Sequence, residues 1–413
     1  MLLIWYRIYI FNDTKPDTMT IDQSLSSKRI LSIDILRGLV MIIMALDHTR
    51  DFFHIGAMTS DPLNPETTTG ALFFIRWITH FCAPVFVFLS GLSAYLSAQN
   101  KTSAAASSFL LKRGLWLIVV EILIITLGLT FNPLYNFIIL QVIWAIGCSM
   151  IFLALASRIS YKTVLIVGLL LVFGHNIFNL LPVPKNPDMA LILKVFFTAF
   201  GTIVPLPNNH FIGIFYAILP WTGVMFVGYG IGAWYKKTYD AAKRKRNLLI
   251  VGSLSVFLFL LLRFVNIYGD PVPRKEYGDL FKNLLAFFNV SKYPPSLQYI
   301  SMTLGPAMLF LAFTEKINNW FTRIASVYGA VPFFYYVIHF YLLHTILVIA
   351  FFTTGYTSQQ IVQIPFLFRP ADFGFGLPLV YLIWIAVVAI LYLPCKWFKK
   401  YKETHGQWWL SYI

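Results

Sequence analysis

Apolar runs of about 20 residues recur along the whole chain, and no other feature narrows the possible folds as far. That length crosses a hydrocarbon core of roughly 30 Å as a helix. Composition agrees: 58% of the 413 residues are hydrophobic, 12% are charged, and the mean hydropathy is +0.71. Soluble domains carry roughly twice that charged fraction. The alternation of apolar and polar residues that marks outer-membrane barrels is absent from the sequence. The expected fold class is all-α, a polytopic membrane protein with about ten transmembrane helices around a central polar cavity.

The runs fall at 30–53, 71–98, 109–130, 134–157, 161–181, 210–235, 247–268, 296–314, 326–353 and 376–396. Lys and Arg cluster at alternate ends of these runs, as the positive-inside bias requires. Lys28, Arg29, Lys101, Lys112, Arg113, Arg158 and Lys162 lie on one side, as do the cluster 236–246, Lys316, Arg323 and the cluster 396–402. The short loop 55–70 has no basic residue. Both termini are therefore expected in the cytoplasm. A net charge of +15 placed in this way belongs to membrane topology, and nucleic acid is not an expected partner. Cys82, Cys148 and Cys395 sit in or at the end of apolar runs with no pairing pattern, and read as small packing residues.

Three regions are expected: an N-terminal cytoplasmic or interfacial segment at 1–28, a transmembrane domain at 29–400 and a cytoplasmic tail at 401–413. The opening MLLIWYRIYIF is too short to span, and Met19 reads as a natural start. Residues 182–209 include MALILKVFFTAFGTIVPLP, expected to form a re-entrant or interfacial helix. Residues 270–295 mix charge, proline and an amphipathic core, and are expected to form a lid on the outer side.

The first run is unusual. SIDILRGLVMIIMALDHTRDFFH carries Asp34, Arg37, Asp47, His48, Arg50, Asp51 and His54. Charges inside a span are costly and usually face a polar cavity or one another. Asp34, Arg37, Met41, Met44 and His48 follow steps of three and four and form one stripe, with His48 roughly 16 Å beyond Arg37. Asp47, Arg50, Asp51 and His54 form a second stripe at the outer end. In FFIRWITHFCAPVFVFLSG, Arg76 and His80 reach the same level, and VPFFYYVIHFYLLH adds Tyr336, His339 and His344 from the ninth run. No HxxxH-like pair supports a metal set, and no metal is expected. Simpler readings stand beside these: an Asp34–Arg37 pair that pins the helix, an Arg50–Asp51 pair at the interface, and His344 and His175 as packing residues.

RILSIDILRGLVMIIMALDHTRDFFH followed by RWITHFCAPVFVFLSG resembles the start of the heparan-alpha-glucosaminide N-acetyltransferase-like catalytic domain, in its bacterial relatives. QVIWAIGCSM, LPWTGVMFVGYGIG, KYPPSLQYISMTLGP and GAVPFFYYVIH resemble later blocks of the same group. The spacing of Arg37 and His48 is also similar to that of the wider clan of transmembrane acyltransferases. The resemblance implies a bacterial cytoplasmic (inner) membrane enzyme that passes an acetyl group from cytoplasmic acetyl-CoA to a sugar amine or hydroxyl on the far side. A glycan or amino-sugar acceptor, acetyl-CoA and membrane lipids are the implied partners, and oligomeric state stays open. Histidine has the near-neutral pKa that such a base needs.

His48 is the favoured base, with Asp47 orienting it; His54, Asp51 and His80 complete the candidate catalytic set. Members near the lysosomal enzymes carry asparagine at about the position of His48 and a reactive histidine some residues later, which makes His54 the second candidate. Arg37, Lys112 and Arg113 are the candidates for the CoA phosphates, and Arg50, Arg76, His339 and Tyr336 for the acceptor. A secondary transporter or flippase is the alternative function, since it too places ionisable groups inside a bundle. Its usual repeated halves are not visible in this sequence.

Overall fold

Side-chain caps mark where the apolar runs become helices. Thr69, Thr102, Ser160, Asp240, Asp279, Ser296 and Asn319 each precede a helix and accept a hydrogen bond from a backbone N–H of its first turn. The computed structural model describes residues 30–199 and 202–412. The segment 1–28 and the basic pair Lys28 and Arg29 lie outside the described residues.

The chain is mostly helical. It runs through α1 (Leu31–Phe53), α2 (Gly70–Thr79), α3 (Cys82–Ala98) and α4 (Ser103–Val120). One π turn, Glu121–Ile125, joins α4 to α5 (Thr126–Thr130). There follow α6 (Val142–Ala156), α7 (Tyr161–Gly174), the short α8 (Pro187–Leu193), α9 (Ile218–Ile231), α10 (Ala241–Val265) and α11 (Leu280–Phe288). The last four helices are α12 (Leu297–Thr314), α13 (Trp320–Ala330), α14 (Pro332–Thr353) and α15 (Leu377–Thr404).

Six helical segments are long and apolar enough to cross a membrane by length and composition: Gly70–Ala98, Tyr161–Asn179, Ala241–Val265, Leu297–Thr314, Pro332–Thr353 and Leu377–Thr404. Large side chains such as Leu115, Trp116, Leu170, Phe257, Leu382 and Leu393 are exposed on the outside of the bundle, where lipid takes the place of water. The protein is an integral membrane protein. The expected spans 30–53, 109–130, 134–157 and 210–235 have no counterpart among these six. α1 has 23 residues but carries five Asp and Arg. The run 109–130 lies in the helix 103–130, with Lys112, Arg113 and Glu121, while α6 has 15 residues. The run 326–353 breaks at Val331, because Pro332 disfavours helical backbone at the residue before it and opens α14 at the first helical position.

Two further expectations need correcting. The fold is not purely helical, because β1 (Phe137–Leu140), β2 (Thr202–Leu206) and β3 (His210–Ile214) form a small sheet in the order β1-β3-β2. β1 and β3 are parallel, and β2 and β3 form a hairpin in which Leu206 faces His210. In 182–209 helix is confined to α8 and the π turn Lys194–Thr198. The β-branched Thr202, Ile203 and Val204 then favour strand, and Asn208 and Asn209 close the hairpin at φ of 58° and 56°, a region asparagine tolerates. The chain beyond residue 400 packs on the helices before it. α15 continues to Thr404, Leu410 is buried, and Tyr412 packs on Phe109 of α4 at 5.5 Å.

Helix packing against α1 depends on small residues. A Cβ on Gly329 of α13 would lie 1.9 Å from the Asp34 carbonyl oxygen, and one on Gly38 would lie 1.7 Å from that of Ala325. Close backbone contact of this kind replaces the hydrophobic drive that lipid cannot supply between helices. Gly329→Ala is expected to lower stability by about 2 kcal/mol, as overpacking does. Gly278→Ala, where an added Cβ meets nothing within 4 Å, is expected to leave it unchanged. Thermal unfolding of the two variants in detergent checks the contrast.

Candidate active site

The stripe read from α1 is one buried face. Asp34, Met41 and Met44 are buried, and Arg37 donates to Asp34 at 3.2 Å, to the Gly329 carbonyl at 3.1 Å and to Ser93 Oγ at 2.9 Å. Arg113 lies within electrostatic reach of Arg37, and its Nε is buried without a hydrogen-bond partner. Lys112 is exposed on α4, as are Leu111, Leu115 and Trp116.

His48 meets α14. Its Nδ1 lies 2.7 Å from Nε2 of the fully buried His339. His339 Nδ1 in turn faces the carbonyl oxygens of Tyr336 at 2.5 Å and Tyr335 at 3.2 Å. Carbonyls only accept, so His339 Nδ1 carries a proton and, with both rings neutral, its Nε2 is an acceptor. His48 Nδ1 therefore donates to it, and His48 Nε2 keeps a free lone pair. The Phe340 ring stacks on His48 at 4.5 Å, and the Tyr336 ring stands 6.4 Å away. A histidine whose tautomer is set by a second group is what general-base chemistry needs.

The carboxylate expected to orient His48 bonds elsewhere. Asp47 is gripped by Arg76 of α2 at short range and by Arg50 at 3.5 Å, and Arg50 also pairs with Asp51 at 2.5 Å. The orienting partner is His339, which the sequence reading had placed with the acceptor. His344 stands apart from that pair: it stacks on Phe131 at 4.0 Å and bonds the Leu367 carbonyl at 2.9 Å. His54 also stands apart from His48. It lies past the end of α1, its Nδ1 accepts from Gly56 N–H at 3.2 Å, and its carbonyl accepts from Arg369 at 2.7 Å. Burial first, then the guanidiniums of Arg50 and Arg369, hold its imidazole below the usual value.

His80 is buried, and its Nδ1 lies 2.8 Å from the Arg76 carbonyl, which makes Nε2 its acceptor nitrogen in the neutral ring. His80, Arg76 and Arg50 line a cavity of about 670 Å3 together with Asn289, Lys292 and Tyr293. Its walls are the loop after α1 and the segment between α10 and α12, the expected lid. Arg263 ties that lid down by donating to the carbonyls of Ala286, Phe287 and Asn289, and Asn289 Nδ2 bonds the Leu63 carbonyl across to the other wall. Arg76 thus connects the cavity to Asp47, the residue next to His48. Sequence reading passed over one buried carboxyl altogether. Glu121 stands alone as an acid in an apolar run, and that isolation was its available signal.

The Arg76–Asp47 pair is largely buried, so removing one partner leaves an ion poorly compensated. Arg76→Met is expected to lower stability by about 3 kcal/mol, and the double change with Asp47→Leu to recover most of that loss. Thermal unfolding of the two variants checks it; equal melting of Arg76→Met and the parent contradicts it.

None of the curated proteins compared with the chain matches it. The family model described as "Heparan-alpha-glucosaminide N-acetyltransferase, catalytic" matches residues 29–263, more than half of the chain and the part that holds α1 to most of α10. The chain belongs to that family of membrane acetyltransferases.

Proposed function

We propose that the protein passes an acetyl group from cytoplasmic acetyl-CoA to an amine or hydroxyl of a sugar on the extracytoplasmic side, with His48 as general base. The observation that carries this reading is the His48–His339 pair, which leaves a lone pair on His48 Nε2. In this reading the chain crosses the membrane about ten times with both termini in the cytoplasm. Arg37 and Arg113, near the cytoplasmic end of α1, bind the phosphates of the donor, with Lys112 outside that site. The cavity lined by Arg50, Arg76, His80 and Lys292 admits the acceptor.

In the transfer step the acceptor nitrogen or oxygen bonds the acyl carbon and gives its proton to His48 Nε2. The carbon–sulfur bond of the thioester breaks, and the proton is returned to the leaving sulfur. The products are the acylated sugar and free CoA, so atoms and charge balance without an oxidant or a metal. His339 stabilises the His48 imidazolium by accepting from its Nδ1–H, the part that a carboxylate plays in other triads. Asp47, held by Arg76 and Arg50, supplies negative charge on the neighbouring residue and holds α2 against α1.

Protein reconstituted in vesicles, with acetyl-CoA on one face and an amino sugar on the other, tests this. His48→Ala is expected to lower turnover by about 10²- to 10⁴-fold at unchanged melting temperature. His339→Ala is expected to lower it less, because His48 keeps its ring but loses its fixed tautomer. Full activity in His48→Ala overturns the base assignment. Movement of the sugar across the vesicle without acetylation favours a transporter instead.

A further inference from the structure

His80 uses only one of its two ring nitrogens within the protein. Nδ1 lies 2.8 Å from the carbonyl oxygen of Arg76, one turn back on α2. Among the described residues no group bonds Nε2, and that atom opens on the cavity that His80 lines. The rest of the residue is fixed. His80 follows the last residue of α2, its N–H donates to the Trp77 carbonyl at 3.0 Å, and its own carbonyl accepts the Tyr299 hydroxyl at 2.8 Å. The Tyr299 ring stands against the imidazole with centroids 5.4 Å apart, and both residues are buried. A side chain whose task ended at the Arg76 carbonyl would duplicate Thr79, whose hydroxyl already donates there at 2.8 Å. Other polar groups of the cavity wall are committed: Arg76 to Asp47, Arg50 to Asp47 and Asp51, and Asn289 Nδ2 to the Leu63 carbonyl. A buried acceptor nitrogen with no protein partner calls for a hydrogen from whatever fills the cavity. The volume of about 670 Å3 lies in the range of small-molecule sites.

We propose that His80 binds the acceptor sugar, its Nε2 taking the hydrogen of a hydroxyl other than the group that is acylated. The argument is one of hydrogen count. A carbonyl only accepts, so Nδ1 carries the hydrogen of the neutral ring and Nε2 has none. Nε2 can then only accept, and the ligand must bring the hydrogen. A hydroxyl does this and still offers its oxygen to a donor such as Lys292, which lines the same cavity. An ether or a deoxy position brings no hydrogen and leaves the nitrogen unpaired, so the site selects a sugar that keeps this hydroxyl free. No covalent bond to His80 forms or breaks in the reaction. The inference rests on the acyl-transfer reading above for the kind of ligand, and it deepens that reading by naming a second group the acceptor must carry.

His80→Asn separates this role from a structural one. The shorter amide can keep a donor on the Arg76 carbonyl and has no atom where Nε2 stands. With purified protein in vesicles, acetyl-CoA on one face and glucosamine on the other, His80→Asn is expected to raise the KM for glucosamine about tenfold while the KM for acetyl-CoA stays within about twofold. Among the monodeoxy glucosamines, one is expected to lose about tenfold in kcat/KM with the wild type and nothing further with His80→Asn. A structural role alone gives the same loss with both proteins. A wild-type KM for glucosamine in His80→Asn, or analogue losses that multiply with that of the variant, overturns the proposal. Should His80→Asn fail to fold, as its melting curve would show, the analogues with the wild type decide alone, and equal kcat/KM for all of them overturns it. Should the wild type not acetylate glucosamine, calorimetric titration of that sugar decides, and equal affinity in the two proteins, or binding by neither, overturns it. Full activity in His48→Ala removes the base assignment, and sugar movement without acetylation removes the acyl-transfer reading. Neither alters the binding comparison, so the failures are told apart.

Discussion

The cost of holding ions away from water organises this protein. α1 brings five Asp and Arg and one histidine into a bundle, and each finds a counterpart on another element or a near neighbour. Arg37 reaches Asp34 of its own helix, Ser93 on α3 and the Gly329 carbonyl on α13. Asp47 is met by Arg76 from α2, and His48 by His339 from α14. Four helices are therefore held around α1 by polar contacts that only one arrangement satisfies. The glycines at 38 and 329 let the backbones come close enough for those contacts to form.

The same arrangement fixes a tautomer. In water a histidine takes up and releases protons at either nitrogen. Here His339 and its two carbonyl partners fix one nitrogen of His48 as a donor and leave a lone pair on the other. A second histidine does this with no net charge, and the nearest carboxylate, Asp47, remains committed to two arginines. Along α1, His48 lies between Arg37 and Arg50, which lines the cavity.

The segment between α10 and α12 shows how side-chain charges hold a loop and a short helix in place. Asp270 accepts from Ser291 and Ser296, and Arg263 collects the free carbonyls at the end of α11. The Arg263 contacts and the one from the Ser291 N–H satisfy backbone groups that would otherwise lack partners. The wall this segment forms brings Lys292 and Tyr293 over Arg76 and His80.

Much of this was legible in the sequence, because apolar length and helical period act locally. The membrane class, the stripe from Asp34 to His48 and the Asp34–Arg37 pair all depend on neighbours within a few turns. The family blocks in α1 and α2 were legible for the same reason, being short and dense in chemistry. Partner choice between distant segments was not. Only tertiary packing decided that His48 bonds a residue 291 positions away and that Asp47 turns to Arg76. It also decided that 202–214 folds as a hairpin beside β1, where the strand finds backbone partners that a lone segment lacks. A linear pattern states which groups need a counterpart; the packed bundle alone determines which counterpart comes within reach.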